Sequence, residues 1–308
     1  MKPRDSVLAA LVATIWGINF VVIQWGMEGV PPLLFAALRF AAVAVPAVFL
    51  VPKPDAPWRT VLAVGAFMSL GQFGFLYSAM HAGMPPGLAA LVLQSQVIFT
   101  IVLAAVHLGE LPTRGQVIGV AVATAGLVIV GVGRGGNVPL LALALCLLGG
   151  LSWGIGNVVS RASGIRSGLS LTVWSAVIVP VPLLVLSLLL DGPSTVGSAL
   201  AHFSWKSILS TLYTAGLASL LGYSIFNGLL SRYTPSSVVP WVLVAPIVAM
   251  LSAWLLLEQR PNAGEALGGA LLLVGVLVAL RPPRHVADAS MGTRSRVSDF
   301  DSMLDPSP

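Results

Sequence analysis

Long apolar runs follow one another along the chain, separated by short polar breaks. Ten runs reach about 20 residues, the length that crosses a bilayer as a helix. They cover approximately residues 6–25, 32–51, 60–80, 88–107, 115–133, 139–160, 169–190, 206–229, 236–257 and 264–281. The first follows Met1 to Asp5, exceeds a signal-peptide core in length and lacks a cleavage site, so it reads as a retained span. After Arg281 the apolar pattern stops. Residues 282–308, with Pro282, Pro283 and several Ser and Asp, are predicted to be a disordered tail outside the bilayer.

The pattern occurs twice. Trp16-Gly17-Ile18 is answered by Trp153-Gly154-Ile155, Pro46 by Pro180 and Pro182, and Leu70-Gly71 by Leu221-Gly222. Each copy closes on a helix with paired glycines, Gly119 and Gly126 in one and Gly268 and Gly275 in the other. The offset drifts from 137 residues at the tryptophans to 149 at these glycines, mostly through the longer connection from Asp191 to Trp205. Five spans per copy is an odd number, so the copies must cross the membrane in opposite directions. The expected architecture is an all-α integral membrane protein of two inverted five-helix repeats, residues 6–133 and 139–281, as in secondary transporters.

Composition agrees: 56% of the 308 residues are hydrophobic and only 9% charged, against roughly 25% charged in an ordinary soluble domain. The net charge of +5 reports orientation and not a nucleic-acid partner. With the N-terminus in the cytoplasm, cytoplasmic segments hold twelve of the sixteen Lys and Arg, and the opposite side holds Arg134, Lys206 and Arg260. That positive-inside bias puts both termini in the cytoplasm. The single cysteine, Cys146, excludes an internal disulfide framework and reads as a small buried hydrophobe.

Arg39 is the one basic residue left inside a span, and an intramembrane charge is a candidate functional group by default. It sits ~10 Å below the outer end of the second span at 1.5 Å per residue. Asn19, Gln72 and Gln94 fall at ~9–12 Å on spans one, three and four. In the second copy Asn157, Trp174, Tyr223 and Trp241 lie ~5–9 Å from the inner face. Asn and Gln inside a bundle serve equally as interhelical glue, and Trp174 and Trp241 read as interface anchors ahead of pocket residues. Trp153, Asn157 and Ser160 share one helix face and form a candidate pocket wall.

Prolines Pro46, Pro180, Pro182, Pro240 and Pro246 are expected to bend their spans. The glycine-rich stretches read as helix contacts; none follows a strand, so no nucleotide loop is implied. Glu28, Glu110, Glu258 and Glu265 sit at span ends, leaving no carboxylate for a mid-membrane proton relay. His81 and His107 lie near span ends and read as solvated. No carboxylate cluster, metal-ligand set or activated nucleophile suggests an enzyme, and no cofactor is expected.

Trp16-Gly17-Ile18-Asn19-Phe20, Leu38-Arg39-Phe40, Gly83-Met84-Pro85, the run Gly87 to Gln94 and Leu108-Gly109-Glu110 resemble the EamA family of the drug/metabolite transporter superfamily. Within it, Gln72 to Phe75, Trp174-Ser175-Ala176 and Gly228 to Tyr233 are similar to the bacterial O-acetylserine/cysteine exporters. Pro86 and the long tail depart from that pattern. The resemblance implies an inner-membrane protein with a central cavity built from spans one to four and six to nine, exporting amino acids or related metabolites. For such a zwitterion the expected site is Arg39 on the carboxylate and Asn19, Gln72, Gln94 and Asn157 as neutral partners. Trp16, Trp153 and Tyr223 would form the wall or contact the ammonium group. The expected partners are a small metabolite and the lipid bilayer.

Overall fold

The computed structural model describes residues 1–133, 138–164 and 168–281. The predicted tail 282–308 and the cations Arg134 and Arg166 lie outside the described residues. Every regular element among those described is helical, and they form the ten expected spans.

Span one is Pro3–Gly26 and span two Pro32–Leu50. Both begin on proline, whose missing N–H is no loss in a helix's first turn. Span three runs Trp58–His81 and span four Pro86–Leu108; span five is Arg114–Gly133 and span six Leu140–Ala162. Span seven comprises Gly168–Val177 and Pro180–Leu190, and span eight is Trp205–Leu230. Span nine comprises Pro235–Val242 and Val244–Leu257, and span ten is Ala263–Ala279. At 17 residues span ten is the shortest, two residues short of its expected end. The connection after Asp191 contains a helix of its own, Pro193–Ala201.

The packing shows the inversion. Spans five and ten pack along their length, with Gly119 against Gly275, Gly126 against Gly268 and Gly133 against Gly264. Numbers rise along one helix as they fall along the other, so these equivalent helices are antiparallel. Span one packs on spans eight and nine, and span six packs in the matching way on spans three and four. Spans two and seven pack on each other. These pairings are preserved when one repeat is exchanged for the other.

Local devices repeat too. Thr113 and Gln116 exchange side-chain-to-backbone hydrogen bonds at the start of span five (2.8 and 3.2 Å). Asn262 and Glu265 form the same capping box at the start of span ten (3.0 and 2.9 Å). Gly109 (φ 66°) ends span four in the left-handed region, and its counterpart Glu258 (φ 58°) ends span nine.

The breaks inside spans are also paired. Span three is wound as a π-helix over Gly65–Gly71, and span eight over Tyr213–Leu221. Both segments end at the Leu-Gly steps that mark the repeat in the sequence. Span four is interrupted at Leu93–Gln94 and span nine at Leu243, which Pro240 and Pro246 flank. Span seven breaks just before Pro180, as its prolines require.

Among the described residues, three ion pairs tie span ends. Arg161–Glu110 and Arg232–Asp5 lie on the side of the N-terminus, and Lys206–Glu28 on the other. Each joins residues that the ten-span topology puts on one side of the membrane.

Candidate functional site

The site is built where the first three spans meet span eight. Arg39 is only 4% exposed. Its Nη1 donates to the Tyr77 hydroxyl of span three at 3.0 Å, and its Nη2 to Ser219 Oγ of span eight at 3.2 Å. The guanidinium carbon lies 4.2 Å from the centroid of the Phe73 ring and 5.3 Å from that of Phe40. Phe73 meets Phe40 edge-on at 5.2 Å and Tyr77 at 6.1 Å, so the aromatic cradle supports itself. None of the ion pairs among the described residues includes Arg39. Its Nε is buried with no hydrogen-bond partner among the described residues.

Ser219 can serve Arg39 because of the local winding. In the π segment its hydroxyl donates to the Thr214 carbonyl five residues back, at 2.7 Å. The oxygen lone pairs then remain free to accept from the guanidinium. The same segment gives its Ala218 carbonyl to Trp16 Nε1 of span one, at 2.8 Å. Tyr213 answers in the other direction, donating its hydroxyl to the Ile15 carbonyl at 3.0 Å. A Cβ on Gly222 would lie 2.7 Å from Trp16 Nε1, so only glycine admits the indole.

The opposite repeat has the counterpart. Ser152 Oγ of span six donates to the Phe67 carbonyl in the π segment of span three at 2.8 Å. A Cβ on Gly71 would meet that same Oγ. Both Leu-Gly steps therefore admit the first helix of the other repeat against a π segment, whose displaced carbonyl that helix takes up.

Of the residues singled out in the sequence, Arg39, Trp16 and Tyr223 belong to this one assembly. Trp16 contacts the Tyr223 ring at 5.2 Å and Phe226 at 5.3 Å, and Tyr223 lies within electrostatic range of Arg39. Asn19 is buried one turn beyond Trp16, and its Oδ1 has no partner among the described residues. Gln72 follows the π segment of span three directly and Gln94 sits in the break of span four. Both are buried, and their side-chain amides make no hydrogen bond among the described residues.

The remaining residues are engaged elsewhere. Asn157 Nδ2 donates to Gln96 Oε1 at 2.9 Å and to Thr100 Oγ1 at 3.1 Å, tying span six to span four. Trp153 is half-buried against the main core. Trp174 donates to the Val51 carbonyl at 3.1 Å and packs edge-on to Trp58, where span three begins. Trp241 packs on Leu229 and Val238 in a separate cluster. Tyr77 and Ser219, which hold the arginine, carried no signal that set them apart from other mid-span residues, and Phe73 only its place in the Gln72 to Phe75 motif. Among the described residues, no group of three His, Cys, Asp or Glu side chains is placed to hold a metal ion.

An inverted pair of five-helix repeats around a buried arginine defines a membrane transporter. The profile of the EamA-like transporter family matches residues 6–132 and again 140–281, and the chain belongs to that family. It is 40% identical over 284 residues to a protein of Escherichia coli (strain K12) named probable amino-acid metabolite efflux pump, covering 90% of this chain and 95% of that one. A Salmonella typhimurium protein of the same name matches with the same identity and coverage. An uncharacterized transporter of Bacillus subtilis is 25% identical over 281 residues, covering 89% of this chain and 90% of that one. One crystal structure superimposes with a TM-score of 0.61 at 20% identity, covering 91% of this chain and 97% of that one, and it shares the fold.

Proposed function

We propose that this transporter exports small zwitterionic metabolites across the bacterial inner membrane by alternating access, with both termini in the cytoplasm. Amino acids or cysteine-pathway compounds such as O-acetylserine and cysteine are the cargo. The observation that carries this reading is the buried Arg39 guanidinium, which has no carboxylate partner among the described residues. A buried cation without a counter-charge is costly, and several kcal/mol are recovered when an anion enters and pairs with it.

Other buried polar groups of the bundle suit the rest of an amino acid. Arg39 Nε is a donor without an acceptor, and Asn19 Oδ1 an acceptor without a donor. A carboxylate supplies what the first lacks and an ammonium what the second lacks. Gln72 and Gln94 offer further neutral groups, and Trp16 and Tyr223 an aromatic wall. The names of the Escherichia coli and Salmonella relatives support the same solute class. Movement of a solute through such a site requires no covalent step, so no residue is assigned a catalytic role.

Metabolite profiling of the medium tests the proposal. Cells overexpressing the protein are expected to accumulate cysteine-pathway or other amino acids outside. Accumulation of a nucleobase, sugar or cationic drug with amino acids unchanged would overturn the solute class and leave the carrier fold untouched.

A further inference from the structure

At the end of the molecule that carries the N-terminus, Lys2, Arg4, Asp5, Leu8 and Arg232 line a concavity of about 400 Å³. Its one carboxylate is already spent. The Asp5 side chain is only 9% exposed. Its Oδ1 accepts from Arg232 Nη1 at 3.1 Å and its Oδ2 from the Tyr233 hydroxyl at 2.7 Å. Arg232 is held in place by a second bond, Nε to the Gly228 carbonyl at 2.9 Å. The Tyr233 hydroxyl in turn accepts from the Lys2 backbone N–H at 3.2 Å, which fixes the start of span one against the end of span eight.

Lys2 and Arg4 keep their charges exposed, and neither is in an ion pair among the described residues. Two other cations at this end are engaged: Arg161 with Glu110, and Lys53 over the Trp58 ring at 4.6 Å. The concavity is therefore a rigidly built corner with two uncompensated cations beside a neutralised Arg–Asp pair.

The surface leading away from it is apolar. Leu8 forms part of the lining, and Val7 (68% exposed) and Leu11 (43% exposed) stand one turn apart on the same helix. A soluble anion would use the cations alone, whereas a phospholipid would also lay its chains along this strip. We propose that the concavity binds the headgroup phosphate of an anionic phospholipid in the leaflet that surrounds this end. Arg4 pairs with the phosphate oxygens through its planar fork and Lys2 adds a point charge.

The test uses the full-length protein in phosphatidylcholine nanodiscs doped with spin-labelled phosphatidylglycerol or, in parallel, spin-labelled phosphatidylcholine. The immobilised fraction is expected to favour phosphatidylglycerol. The double variant Lys2→Ser/Arg4→Ser should weaken that preference roughly thirtyfold, the loss of two hydrogen-bonded contacts from cations to one phosphate. Arg232 is left in place because it holds Asp5. Lys53→Ser/Arg59→Ser, at the same end, should leave the preference within about twofold, since each removed charge lies outside the concavity. Equal retention of both lipids by the unaltered protein, or equal losses in the two double variants, would overturn the proposal. So would displacement of the labelled lipid by inorganic phosphate alone, which would make the site one for a free anion.

Discussion

Replacing Arg39 by Met separates a binding role from a structural one. Methionine has similar length and no charge, so the cradle of Phe40 and Phe73 keeps an apolar occupant. The Tyr77 hydroxyl loses its partner, at about 1–3 kcal/mol for an unsatisfied buried group. The lost cation–π contact adds roughly 0.5–2 kcal/mol. Against this stands relief of a buried cation that has no counter-charge, worth several kcal/mol. Ser219 keeps its bond to Thr214. The terms oppose one another, and stability should be unchanged or slightly raised. Binding has no such compensation. A carboxylate that loses a buried charge-assisted partner forfeits about 2–5 kcal/mol, a factor of roughly 30 to several thousand in affinity. Arg39→Lys retains the charge without the fork and should lose about tenfold. Thermal unfolding in detergent and counterflow of labelled cysteine in proteoliposomes read the two quantities separately. If Arg39→Met transports within about threefold of the unaltered protein, a buried guanidinium that contributes its charge to binding is refuted. If it melts more than ~10 °C lower, the arginine is a structural strut.

Three further outcomes test the frame around the site. Gly126→Ala would place a Cβ 2.5 Å from both the Gly268 carbonyl oxygen and Leu272 N. Backbone cannot yield there, so spans five and ten must part, lowering stability by about 1–3 kcal/mol in denaturant titration while affinity is retained. Glu258→Gly relieves a left-handed residue whose counterpart, Gly109, is already glycine. A net gain of roughly 0.5–1 kcal/mol is expected once the extra freedom of the unfolded chain is subtracted, read as a higher melting temperature. Asn157→Val removes two interhelical hydrogen bonds. It should cost about 1–2 kcal/mol of stability and leave the KM for solute unchanged; a raised KM would return Asn157 to the pocket wall.

The spans were legible because the bilayer sets one length for all of them, and the repeat because it is written in Trp-Gly-Ile, Leu-Gly and paired glycines. The burial of Arg39 also followed from its sequence context, since a single charge in an apolar run must be covered. Its partners did not follow. Depth along a helix gives a level and no azimuth, so Tyr77 and Ser219 could not be told from other mid-span hydroxyls. The same limit explains Asn157, whose level suited a pocket but whose direction points at Gln96 and Thr100. The π segments were invisible because their cause is tertiary. Gly71 and Gly222 mark the places, but Ser152 and Trp16 come from the far repeat to take the displaced carbonyls. The break of span four at Leu93–Gln94 contains no proline, whereas that of span seven was announced by one.

The most direct measurement compares two solutes that differ only at the carboxylate. Proteoliposomes loaded with labelled cysteine are challenged from outside with unlabelled cysteine or with cysteamine, the same skeleton without its carboxyl group. Exchange should be driven by cysteine and should fail with cysteamine, because Arg39 then has nothing to pair with. Equal exchange by the two would contradict a site built around a guanidinium waiting for its counter-charge.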